Sequence, residues 1–157
     1  MIKNIRLGVF TLLGLGLILS FGSFVSAEEK YEEEITQSFY NSFEAKNIVD
    51  RGDVIRQEPT KEDIVGYITK LWGGKAQEAL KIVSCENSTM DMARVNKNRD
   101  KTKDFGPFQI NTIHIKRFGD GFTKDIFENI RVAHTMWKEQ NWRPWYSSNS
   151  CHGLAYT

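Results

Sequence analysis

Histidine, cysteine and proline are all scarce in this chain, and the scarcity narrows what it can do. Among its 157 residues are three histidines, two cysteines and three prolines. His114, His134 and His152 are scattered, and none pairs with a cysteine or carboxylate at the spacing that metal ligands take, so neither a metal site nor another cofactor is expected. Charge of one sign is also lacking: 21 basic residues face 20 acidic ones. With no basic excess and no interleaving of basic and aromatic residues, nucleic acid is not an expected partner. No segment repeats and no tract is of low complexity. The length suits one domain with a real core and hardly two.

The first 27 residues read as an export signal. Lys3 and Arg6 form a short basic head, an apolar stretch runs from Leu7 to Val25, and Val25-Ser26-Ala27 sets small residues where a signal peptidase cuts. An uncleaved anchor is the competing reading, since 19 residues almost span a bilayer. With the signal cleaved, no stable membrane contact is expected, and the product is exported: secreted, or held at the cell wall or in the periplasm. A monomer is expected. In an exported chain an even pair of cysteines invites a disulfide, so Cys85 and Cys151 are read as bonded, against the alternative of two free buried thiols. Such a bridge would tie Glu86 to the C-terminal tail and contribute roughly 4 kcal/mol in the chain-entropy picture.

The remainder divides by charge. Residues 28–59 carry 4 basic and 9 acidic side chains, whereas residues 60–157 carry 15 and 11. The first segment is read as a charged lead-in in which Ile35, Phe39, Phe43 and Ile48 suggest a short amphipathic helix. Its Arg51-Gly52-Asp53 tripeptide is better explained as a turn than as an adhesion motif. Past Pro59, Thr60 is a predicted N-cap, with Asp63 completing a capping box. Ile64, Ile68, Leu71 and Trp72 then share one helical face, and Gly73-Gly74 ends that helix. A second helix from about Lys75 has a predicted stripe of Ala76, Ala79, Leu80 and Val83 with Ile82 at its edge, ending near Cys85-Glu86. A third, from Lys124 to about Gln140, carries Ile126, Ile130, Ala133 and Trp137 on one face, with Thr123 as the predicted cap. Residues 87–105 read as loop with a short hairpin. From Phe108 to Ile115 the spacing fits a strand, yet Asn111-Thr112 equally fits the cap of a short helix. The pattern as a whole is α+β and mainly helical.

Two carboxylates stand out. Glu86 continues the core-facing side of its helix one turn beyond Ile82, where an acid needs a reason. Burial against apolar groups raises a carboxyl pKa and keeps the acid protonated. Eighteen residues later, Asp104 sits among Asn98, Thr102, Gln109 and Asn111, whose polar side chains suit an ionised partner. Two acids in unlike settings are what cleavage of a glycosidic bond uses. Other readings stand beside this one: Glu86 as a paired structural acid, Asp104 as a turn-stabilising residue, Gln109 as a core amide. Trp142 and Trp145 either stack on sugar rings or anchor the tail.

The run Asn98-x-Asp100-x-Thr102-x-Asp104-Phe105-Gly106-x-Phe108-Gln109-Ile110-Asn111 resembles the signature of chicken-type lysozymes, in which such a segment follows the catalytic glutamate. Glu86-x-Ser88, Ala93, Gly106-x-x-Gln109-Ile110 and Asn129-Ile130 resemble bacterial soluble lytic transglycosylase domains, as does Trp142-x-Pro144-Trp145. The resemblance covers about residues 60–151. It implies a lysozyme-like fold, with a small β-hairpin flanking the active-site cleft, for a catalytic domain at 60–157. It implies that Glu86 is the general acid and that Asp104 is the nucleophile or electrostatic stabiliser. Asn98, Gln109 and Asn111 would line the sugar site, and Gly106 would let backbone approach the substrate. Three departures are present: Asn87 follows the glutamate where serine is common, the stretch from Glu86 to Asn98 is one residue longer than the animal pattern, and only two cysteines are present. A bacterial member of the superfamily is therefore the expectation. The implied activity is cleavage of peptidoglycan glycan strands at the N-acetylmuramic acid to N-acetylglucosamine β-1,4 bond, by hydrolysis or by lytic transglycosylation. The mildly basic body suits that anionic polymer. The alternative is a wall-binding protein that keeps the fold without catalysis.

Overall fold

The computed structural model describes residues 27–47 and 58–155. The predicted leader up to Ser26, the Arg51-Gly52-Asp53 tripeptide and the last two residues lie outside the described residues. Among the described residues six α-helices and three short strands follow in the order α1 (Ala27–Asn47), α2 (Lys61–Trp72), α3 (Ala76–Glu86), β1 (Val95–Lys97), β2 (Lys103–Phe105), β3 (Ile110–Asn111), α4 (Ile115–Phe118), α5 (Ile126–Gln140) and α6 (Asn149–His152). The architecture is mainly helical with one small antiparallel sheet, ordered β1-β2-β3. Among the described residues no helix is long and apolar enough to cross a membrane.

Local chemistry explains most of the boundaries. Thr60 accepts from the Asp63 amide, and Asp63 accepts from the Thr60 amide, so the predicted capping box starts α2. Gly73, at φ 52°, turns the chain into a single 3₁₀ turn that leads straight into α3. The start of α5 differs from expectation. Thr123 closes a 3₁₀ turn, and the cap is Asp125, whose carboxylate accepts from the Glu128 amide at 2.8 Å. Aspartate supplies the better acceptor two residues nearer the apolar periodicity. The stretch from Phe108 to Ile115 is both of the predicted alternatives in turn. Ile110–Asn111 pairs as β3, and the Asn111 side chain then accepts from the Ile113 amide to cap a 3₁₀ turn.

Helix α5 lies at the centre, with Ile126, Phe127, Ile130, Val132, Ala133 and Met136 buried. On α3 the buried positions are Ala76, Ala79, Ile82 and Val83. Leu80 is only partly buried and Ile82 is fully so. The core-facing line thus runs through Ile82 rather than past it, which carries the same face on toward Glu86. The charged lead-in is not separate from this core. Ile35 of α1 is buried, Phe39 meets the Tyr67 ring at 5.1 Å, and Tyr40 donates to Asp125. The Tyr67 hydroxyl, paired with Thr36 at 2.8 Å, is pushed up to about 12, chiefly by burial. Beneath the hairpin, Trp72 stacks on Phe108 at 5.2 Å, Phe108 meets Trp145 at 5.6 Å, and Trp145 meets Trp142 at 6.1 Å. This aromatic ladder joins α2, the end of the sheet and the tail, and it forms the floor under the residues described next.

Candidate active site

Glu86 is the last residue of α3 and is partly buried. Its Oε1 lies 2.6 Å from the Ser148 hydroxyl. Burial pushes its carboxyl above the ordinary range. The Ser148 hydrogen bond opposes that shift, Asp104 adds to it, and His152 and Arg94 oppose it more weakly; burial prevails. A second acid on the same helix shows the contrast. Glu78 bonds to Lys75 at 2.7 Å and accepts from Trp142 Nε1 at 2.7 Å. The Lys75 ammonium, with help from the indole, holds the Glu78 carboxyl below its usual range. Two glutamates two turns apart on one helix are thus biased in opposite directions by their surroundings.

Asp104 reaches the site from the middle of β2. The register sets it opposite Asn96 on one side and Asn111 on the other. Asn111 Nδ2 donates to Oδ1 at 2.7 Å and Asn98 Nδ2 to Oδ2 at 3.0 Å, so both oxygens serve as acceptors, the role an ionised carboxylate fills. The same two amides donate to Thr102 Oγ1, which in turn donates to Asp100 at 2.6 Å. The polar residues at 98, 100, 102, 104 and 111 therefore form one network. Asn111 cannot flip within it, because its oxygen is already engaged by the Ile113 amide.

Glu86 and Asp104 line one cleft of about 380 Å³, together with Asn98, Gln109, Asn111 and Trp145. A larger concavity of about 690 Å³ lies between α3, α5 and the tail. Its acid is Glu78, the wrong kind of carboxyl for a proton donor, and the smaller cleft is the one with the suitable chemistry.

Gln109 holds a left-handed backbone at φ 48°, which a non-glycine residue adopts only where its surroundings require it. Its Nε2 donates to the Gly106 carbonyl at 2.8 Å and to the Arg94 carbonyl at 3.2 Å, while its Oε1 is buried with no hydrogen-bond partner. Gly106 sits differently from expectation. It is buried and is not a lining residue of the cleft. Its φ is 71°, and a Cβ there would lie 2.6 Å from the Asn129 side chain. The close approach that demands glycine is to α5, not to the cleft. Asn129 fills the space and ties three segments together, donating to Phe105 O and Phe122 O and accepting from Phe108 N.

Four further residues carry the site and were not singled out for it from the sequence. Asn87, noted there only as a departure, is fully buried; it donates to Asp91 O at 2.7 Å and to Gly106 O at 3.2 Å, fastening the loop after Glu86 to the hairpin. Asn129 acts from below, and Ser148 and His152 from the tail. The signal that could have marked Asn87 and Asn129 is an amide at a position the helical pattern makes core. Ser148 left no local signal. Both tryptophans are buried: Trp142 is an anchor bonded to Glu78, and Trp145 donates to Phe108 O at 2.9 Å while also lining the cleft.

Cys85 and Cys151 are disulfide-bonded, their Cα atoms 5.9 Å apart. The bridge fastens the residue beside Glu86 to α6. Among the described residues no cluster of three or more His, Cys, Asp and Glu side chains is placed to hold a metal ion. Comparison of the chain with protein families, with curated proteins and with solved structures finds no match.

Proposed function

We propose that this protein is an exported enzyme that cleaves the glycan strands of peptidoglycan at the N-acetylmuramic acid to N-acetylglucosamine β-1,4 bond, on a lysozyme-like fold. The observation that carries the reading is the pairing, in one cleft, of a carboxyl raised by burial with a second carboxyl whose two oxygens each accept an amide N–H. General-acid cleavage of a glycoside asks for that division of labour. The motif from Asn98 to Asn111 and the glutamate at the helix end support the same family of reactions, and the mildly basic body suits an anionic wall polymer.

In this reaction Glu86 gives its proton to the glycosidic oxygen as the bond to the anomeric carbon breaks. Asp104 meets the positive charge that develops on that carbon. The Glu86 carboxylate then takes a proton from the acceptor. If water is the acceptor, a reducing sugar is released; if the muramyl 6-hydroxyl attacks, an anhydro-sugar forms. No cofactor enters either route. The amide clamp on Asp104 suits a stabilising role as well as a nucleophilic one, and product analysis separates the two acceptors.

Purified peptidoglycan is digested and its products are weighed by mass spectrometry. Glu86→Gln is expected to abolish cleavage while the fold persists, and wild-type-like activity in that variant would refute the mechanism. Asp104→Asn is expected to slow a hydrolase by about a hundredfold or more, and to leave a transglycosylase that relies on Glu86 alone nearly unchanged. A protein that binds glycan tightly but cleaves none would instead be a wall-binding module.

A further inference from the structure

We propose that Ser148 is the positioning residue of Glu86: a hydroxyl that rotates to partner the carboxyl both before and after proton transfer, with His152 covering the carbonyl that the rotation vacates. The proposal rests on the reading of Glu86 as proton donor and deepens it.

Ser148 Oγ lies 2.6 Å from Glu86 Oε1 and 3.0 Å from the carbonyl of Trp145. A hydroxyl has one hydrogen and two lone pairs, so it cannot donate fully to both acceptors. The geometry is satisfied in two ways. With the Glu86 proton on Oε1, before substrate takes it, its O–H donates to Ser148 Oγ and the Ser148 O–H donates to Trp145 O; with the proton on Oε2, free to pass to the glycosidic oxygen, Ser148 turns and donates to Oε1. With Glu86 ionised, Ser148 keeps that orientation and donates to the carboxylate. The Trp145 carbonyl is then left without the serine, at a buried residue where a lost partner is costly.

His152 removes that cost. Its Nε2 is 3.0 Å from the same carbonyl, and its Nδ1 accepts the Leu154 amide at 3.1 Å. A nitrogen that accepts from a backbone N–H carries no proton of its own, so the proton is on Nε2, aimed at Trp145 O. The ring is buried, which holds this orientation in place. The disulfide closes the arrangement: Cys85 precedes Glu86, and Cys151 lies between Ser148 and His152. Donor and acceptor are thereby held on two elements that cannot drift apart.

The charged and titratable groups facing Glu86 come from three other elements: Asp104 from β2, Arg94 from the loop before β1, and His152 from α6. His114, after β3, lines the same cleft. Ser148 differs from all of these in being able to bond either protonation state at one position. An acid that later works as a base needs to hold its place through both steps, since small displacements of reacting groups cost rate.

The test compares Ser148→Ala and Ser148→Thr with wild type in the disulfide-bonded protein. Two readouts are followed: the pH titration of the Glu86 side-chain carboxyl by carbon-13 NMR, and the pH profile of kcat on peptidoglycan. In Ser148→Ala, Glu86 is expected to titrate at higher pH than in wild type, because the bond lost to the charged carboxylate is stronger than the one lost to the neutral acid. kcat is expected to fall about tenfold or more, with KM little changed and the alkaline limb moved upward. Ser148→Thr is expected to restore both readouts. An unchanged titration in Ser148→Ala would overturn the proposal, as would a threonine variant as impaired as alanine. If alanine does not fold, Ser148→Val against Ser148→Thr, similar in volume and differing in the hydroxyl, replaces it with the same expectations. If wild type cleaves no wall at all, the proposed function falls, and the NMR titration alone decides for or against Ser148.

Discussion

Replacing Gly106 with alanine tests the site at the point where three elements meet. The residue has φ 71°, a left-handed conformation that costs an alanine roughly 1–2 kcal/mol. The new Cβ would also sit 2.6 Å from the Asn129 amide carbon and nitrogen, closer than two such atoms can stand. Asn129 is fully buried and makes three bonds, to Phe105 O, Phe122 O and Phe108 N. Moving it aside breaks at least one of them and leaves a buried polar group unpaired, at a cost of about 1–3 kcal/mol. A few tenths are returned because alanine restricts the unfolded chain more than glycine does. The expected loss is about 2–4 kcal/mol, or a fall in Tm on the order of 10 °C for a domain of this size. Urea unfolding measures it directly, and activity should fall in parallel because the Gly106 carbonyl also receives Gln109 and Asn87. A loss below about 0.5 kcal/mol would refute this account of why glycine stands there, since such a value is within the range of ordinary surface changes.

Cleavage should decline as pH rises through the raised pKa of Glu86, because the acid has to be protonated; an alkaline limb at the value of a free glutamate, about 4.3, would contradict this. Stability carries the same sign. A carboxyl raised in the fold contributes fully below its unfolded value and loses that contribution as pH rises through the folded one, so Glu86→Gln should gain on wild type between about pH 4 and pH 7. Thermal melts at the two pH values that show an equal difference would count against it. Opening the disulfide, which closes a separation of 66 residues, should cost about 4 kcal/mol. A Cys85→Ala, Cys151→Ala double variant that melts within 2 °C of wild type would show that the bridge does not constrain the unfolded chain as supposed.

Much of the scaffold was legible because it is written in residues three or four positions apart. The Thr60–Asp63 box, the α2 and α5 faces and the helix-terminal place of Glu86 follow from local periodicity. The polar run from Asn98 to Asn111 was equally visible, and the structure explains its composition. A hairpin sets alternate residues on one face, so Asn98, Thr102, Asp104 and Asn111 were bound to meet once β2 paired with β1 on one side and β3 on the other. Leu80 and Thr123 were misjudged for a related reason. Period and propensity rank neighbouring candidates nearly equally, and packing chooses between them.

The sequence alone determined the longer helices, the polar run from 98 to 111 and an acid at the end of an apolar stripe, because each depends on chain neighbours; the cysteine pair followed from there being only two cysteines. Only the tertiary structure decided what surrounds that acid. Ser148 is 62 residues from Glu86 along the chain, and Asn129 is 24 from Phe105, to whose carbonyl it donates. No periodicity links such positions. They come together when α2, the end of the sheet and the tail pack through one aromatic ladder and the polar groups buried beside it find partners across the chain. The burial that raises Glu86, and the requirement for glycine at 106, are consequences of that packing.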